Sequence, residues 1–94
     1  MQLKLSRYPY DLSEGEELIS VIITSPDQKI LKSIICKNTE NFFRLEGILF
    51  KETPYYIDSN IYFSVKGNIV NRLKTLKENN IHNSDIIILN KREF

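Results

Sequence analysis

Two-residue alternation is clearest from Leu18 to Thr24, where Ile19, Val21 and Ile23 share one face and Leu18, Ser20 and Ile22 the other. The pattern predicts a β-strand. Ser25-Pro26-Asp27-Gln28 follows with turn chemistry, since Pro presets φ and Asp can close an Asx-type turn. Ile30 to Lys37 predicts a second strand, which makes an antiparallel hairpin with the first. Its inward face is open between Ile30/Ile34/Cys36 and Leu31/Ile35, because both sets are apolar.

The period then changes. Phe42, Leu45 and Leu49 recur at helical spacing, and Phe43, Ile48 and Phe50 broaden the stripe. Asn38 or Thr39 caps this predicted helix, and Thr53-Pro54 ends it, because the residue before Pro disfavours the α region. Ile61 to Val65 alternates again, with Ile61, Phe63 and Val65 opposite Tyr62 and Ser64. Lys66-Gly67-Asn68 reads as a turn and Ile69-Val70 as a short return strand. Residues 71–80 hold Leu73 and Leu76 at i, i+3, giving either a short helical turn or part of a longer helix over 68–79. In that second case residues 39–50 become a strand and the fold is another α+β type. Asp85 to Leu89 is apolar on both faces, the pattern of a central strand. Residues 1–16 are mostly loop, with a short edge strand at 2–5 from the Leu3/Leu5 alternation.

Ninety-four residues make one domain. Thirteen Lys and Arg against twelve Asp and Glu leave a net charge of +1, so no general field draws in nucleic acid or an anionic membrane. One Cys permits neither an internal disulfide nor a Cys-based zinc site. No apolar run approaches the ~20 residues that span a bilayer, and the N-terminus has no apolar signal-peptide core. The expected location is the cytoplasm, without membrane insertion.

Candidate chemistry is sparse. His82 is the single imidazole, in a turn beside Asn83, Ser84 and Asp85, with no nucleophile-base motif around it. Cys36 reads as a small buried hydrophobe. No ligand set has metal-binding spacing, and no cofactor motif is present. An enzyme is not expected. Lys66, Arg72, Lys74 and Lys77 form a basic stretch over 66–77 that, with Tyr62, offers single-stranded nucleic acid as the alternative partner. The balanced charge of the whole chain favours a solvated face instead.

The element order, hairpin, helix, strand, short strand, turn, strand, resembles the ubiquitin-like β-grasp family. Local sequence is similar too: Asn38-Thr39-Glu40-Asn41-Phe42 at the helix start, Ile61 to Gly67 at the third strand and its turn, and Thr75 to Ile81 before the last strand. The resemblance implies an α+β fold with a mixed sheet of four or five strands on one helix. It divides the chain into a lead-in or edge strand at 1–17, a ubiquitin-like domain at 18–90 and a charged tail at 91–94. It is of the non-conjugatable type, since Lys91-Arg92-Glu93-Phe94 stands where modifiers carry Gly-Gly, and no Gly pair occurs anywhere. The implied function is non-catalytic docking of a protein partner, as an adaptor or as an accessory to a secretion system or other multiprotein machine. In this frame Ile61, Phe63, Ile86 and Ile88 point towards the helix. Tyr62, Ile87 and Leu89 then form an apolar patch on the outer sheet face, with Lys66 and Pro26 at its rim. Leu89→Asp is expected to weaken docking and spare the fold. Two alternatives keep the same face: cover by Leu3, Leu5, Tyr8 and Tyr10, or a homodimer.

Overall fold

Turn chemistry sets the first hairpin. In the computed structural model, which describes residues 12–53 and 60–92, strand β1 (Leu18–Thr24) pairs antiparallel with β2 (Leu31–Lys37). Between them the Ser25 hydroxyl donates to the Asp27 carboxylate and accepts the Ile30 N–H at 3.1 Å. Asp27 also accepts the Lys29 N–H at 3.1 Å. These bonds hold the Asp27 carboxyl below its ordinary pKa, the Ser25 hydroxyl having the largest effect. At the hairpin base the Glu17 N–H donates to Asn38 Oδ1 at 2.9 Å, and the Asn38 N–H donates to the Glu17 carbonyl at 2.9 Å.

That engagement corrects the expected cap. Asn38 is tied across the hairpin, and the Thr39 hydroxyl donates to Glu16 at 2.9 Å. Helix α1 (Phe42–Glu52) starts later, with Asn41 in extended conformation at the cap position and no side-chain capping bond. Phe42, Leu45, Glu46 and Leu49 form its buried face, while Phe43 and Ile48 stay exposed. Thr53 closes the helix: its N–H and its hydroxyl both donate to the Leu49 carbonyl, at 3.0 and 2.9 Å.

Strand β3 (Ile61–Val65) turns back into β4 (Asn68–Ile69). The two loop residues, Lys66 and Gly67, have φ of +54° and +82°. A two-residue hairpin loop with both φ positive matches the right-handed strand twist, and Gly takes the second position without steric cost. Strand β5 (Ile86–Lys91) completes a five-stranded sheet of order β2-β1-β5-β3-β4. β1 and β5 run parallel, and the other neighbours are antiparallel. The sheet lies on one helix, the α+β arrangement of the β-grasp. β5 is central, as its apolar run predicts. The lead-in at 1–11, the connection at 54–59 and the tail end at 93–94 lie outside the described residues.

Residues 71–80 form turns rather than the main helix. Main-chain bonds lay them beside the helix entrance: the Phe42 N–H donates to the Lys74 carbonyl, the Leu76 N–H to Glu40 and the Lys77 N–H to Asn38, at 3.0, 3.0 and 2.8 Å. Thr75 and Glu78 exchange side-chain to backbone bonds at 2.9 and 3.0 Å, a capping box around a single turn. Asn80 then takes φ +59° and stops it. Leu76 enters the core; Leu73 does not.

The core joins Ile19, Val21 and Ile23 of β1 to Phe42, Leu45 and Leu49 of α1 and to Phe63, Ile87 and Leu89. Phe42 and Phe63 meet edge-on, with centroids 5.0 Å apart. Cys36 is buried here. Burial, aided by the Glu40 charge, pushes its thiol up to about 11. The native protein is therefore expected to resist a thiol-alkylating reagent at neutral pH, since the thiolate is the reactive form. Labelling followed by mass spectrometry checks this: modification should accelerate only in denaturant, and fast labelling of the folded chain would contradict the packing.

Candidate interaction surface

Strand parity decides which side chains face outward, and β5 is set by both of its neighbours. Ile87 lies beside Ile23 of β1, and Leu89 lies beside Phe63 of β3. Paired residues project to the same side of a sheet, and Ile23 and Phe63 face the helix. Ile87 and Leu89 therefore point inward, at 0 and 1% exposure. This reverses the expected assignment: neither residue lies on the outer face, and Ile86 and Ile88 do, at 53 and 37% exposure. The same parity sends Ile34 and Cys36 of β2 inward and leaves Leu31 and Ile35 outward, at 79 and 61%.

Tyr62 is on the outer side as expected. It is half-buried, and the Arg92 guanidinium lies 4.6 Å from its ring centroid. Ser64 lies beside Tyr62 along β3, and Ile69 of β4 pairs with it, 64% exposed. The outer face thus carries Leu31, Ile35, Ile86, Ile88 and Ile69, with Ile22 half-buried among them. Pro26 is exposed at one end of the face, beside a shallow depression of about 260 Å³ that it lines with Tyr62, Asn90 and Lys91.

Lys66 sits at the other end, where Nζ is 3.2 Å from Asp85 Oδ2 and 3.3 Å from His82 Nδ1. Asp85 also accepts the His82 N–H at 2.7 Å. Burial raises the Asp85 pKa, but the His82 N–H and the Lys66 ammonium outweigh it, so the carboxyl titrates below its ordinary value. The cluster works as a turn brace: it fixes Ser84, at φ +71°, ahead of β5. In the basic stretch, Arg72 is paired with Glu46 at 2.6 Å and Lys66 with Asp85, which leaves no continuous cationic track. Among the described residues, no three His, Cys, Asp or Glu side chains converge to hold a metal ion, and no helix is long and apolar enough to cross a membrane.

The outward residues that sequence reasoning placed inside, Ile86 and Ile88, carried no usable signal. Asn90 shares their parity, but Asp85 and Lys91, on either side of the same run, share that of Ile87 and Leu89. For β2 the sequence was equally silent, since Ser33 and Lys37 share parity with Leu31 and Ile35, but Lys32 stands on the opposite face.

Among solved structures the chain is similar to a de novo designed protein based on ubiquitin, at 17% identity and a TM-score of 0.69, over 87% of this chain and 95% of that one. It is also similar to the ubiquitin-like domain of an Arabidopsis thaliana protein, solved in solution by NMR, at 12% identity and a TM-score of 0.69, over 93% of this chain and 90% of that one. No protein-family model matches the chain, and no curated protein matches it. The likeness is one of fold, and the fold is ubiquitin-like.

Proposed function

We propose that this chain is a non-catalytic interaction domain that docks a protein partner through its outer sheet face. One observation carries the reading. A sheet with a single packed face normally alternates apolar-in and polar-out. Here the outward positions include Leu31, Ile35, Ile86 and Ile88, all exposed. Contiguous apolar surface rimmed by polar groups marks an interaction site on a soluble protein. Tyr62 supplies an aromatic contact within that face, with Pro26 and Lys66 at its two ends. Ile87 and Leu89 support the surface from beneath.

The chain's three glycines stand apart at positions 15, 47 and 67, so the paired-glycine tail of a conjugated modifier has no counterpart within these residues. A lone reduced thiol at Cys36 suits a cytoplasmic adaptor. The ion pairs of Lys66 and Arg72 disfavour the nucleic-acid alternative.

The test uses the immobilised chain and its Ile86→Asp/Ile88→Asp form on lysate of the source cells. Both substitutions fall on exposed positions, so the variant should stay folded, at a cost of about 1 kcal/mol of strand preference each. Proteins retained by the parent chain are expected to fall at least ~tenfold with the double variant, the effect of one lost apolar anchor. Identical retention by the two forms would sink the assignment of this face.

A further inference from the structure

We propose that the occupant of the outer sheet face is a second copy of this chain, packed sheet to sheet about a two-fold axis. The inference rests on the reading of that face as a docking surface and names its partner.

Charge is the first argument. The outward strand positions are aliphatic, Ser, Thr, Asn and Tyr; charges stand at the margins, with Lys37 at one corner, 3.3 Å from Glu16, Arg92 over the Tyr62 ring and Lys66 beside Asp85. The centre of such a face offers a charged partner nothing to pair with. A two-fold interface sets the same patch against itself, so an uncompensated charge near the axis meets its like. Here the centre carries none. Two such faces can pack as the sheets of a sandwich do, with side chains interdigitating across ~10 Å.

Area is the second argument. Leu31, Ile35, Ile69, Ile86 and Ile88 are between 37 and 79% exposed. With about 120 Å² of apolar surface per fully exposed side chain, they present about 350 Å² on each copy and about 700 Å² in a pair. The Ser, Thr and Asn side chains between them bring the total buried surface towards ~1,000 Å², the lower limit of a specific interface. Interfaces of this size belong to weak, transient encounters, so the dissociation constant is expected in the micromolar range or above.

Sedimentation equilibrium on the full chain, from about 5 μM to 1 mM to bracket that constant, reads it directly. The mass is expected to rise from 11.1 kDa towards twice that value with concentration. Ile35→Thr/Ile88→Thr keeps β-branched residues in both strands and removes apolar surface, so it should weaken association at least ~tenfold while the unfolding midpoint holds. Leu73→Thr is the control: that residue is 80% exposed but lies off the sheet, and association should not change. A mass fixed at 11.1 kDa throughout, or a dimer indifferent to Ile35 and Ile88, overturns the proposal. A monomer in which a spin label on Leu3→Cys broadens the Ile86 and Ile88 amides would assign the face to the chain's own N-terminal residues, and overturns it too. A fixed monomer mass alone leaves the docking reading to the lysate comparison, whereas cover by the N-terminal residues overturns both.

Discussion

Leu89→Asp is expected to unfold the domain, whereas Ile88→Asp, one residue earlier, leaves it folded. Leu89 is 1% exposed and faces Phe63 across the β3–β5 ladder. Truncating a buried Leu costs about 2–5 kcal/mol through lost transfer free energy and the cavity left behind. A carboxyl in that place has no partner. It must either stay charged in an apolar core or take up a proton, and the neutral acid still costs roughly 1–3 kcal/mol when unbonded. A domain of this length has a total stability of about 5–10 kcal/mol, so the sum removes most of it. Ile88 is 37% exposed on the opposite side, where Asp keeps its water and the cost is about 1 kcal/mol of strand preference. Urea melts followed by far-ultraviolet circular dichroism separate the two. If Leu89→Asp melts like the parent and Ile88→Asp does not, β5 has the reverse orientation and the outer face is the one with Leu89.

The same pair of residues shows how far the sequence could be read. Elements were legible because period and punctuation are local: the β1–β2 turn, the helical stripe on Phe42, Leu45 and Leu49, and the Lys66-Gly67 hairpin each sit within a few residues. Faces were not legible for β5, since Ile86 to Leu89 is apolar throughout and period two carries no phase when every position is alike. The phase comes from Ile23 and Phe63, residues far away in the chain. The helix start failed for a related reason. Asn38 has the chemistry of a cap, but a bond to Glu17, 21 residues earlier, takes its side chain. Of the candidate surface, Tyr62 was readable because β3 alternates cleanly; Leu31 and Ile35 were left open between two apolar faces.

Glu46 is the residue whose role no sequence pattern announced, and its partner Arg72 is expected to matter more than an exposed arginine usually does. Glu46 occupies a buried position on α1, four residues after Phe42 and next to Leu45, with its side chain 5% exposed. Arg72 Nε reaches Glu46 Oε2 at 2.6 Å from the 71–80 segment. Breaking a buried ion pair by removing one partner costs about 3–5 kcal/mol, because the remaining charge is left desolvated. Arg72 is 63% exposed, so water can enter where it stood, and Arg72→Ala should cost nearer to 1–3 kcal/mol. Glu46→Leu should be neutral or stabilising, since it removes the desolvated charge and extends the apolar face of the helix. The two changes should not add: with Leu at 46, loss of Arg72 is expected to cost under ~0.5 kcal/mol. Hydrogen exchange gives a second readout. The Phe42 and Leu76 amides bond between the helix entrance and this segment, so Arg72→Ala should speed their exchange more than that of β1. Equal stability of Arg72→Ala and the parent would mean that solvent already serves the Glu46 carboxylate. The 71–80 segment would then be held by its main-chain bonds and Leu76 alone.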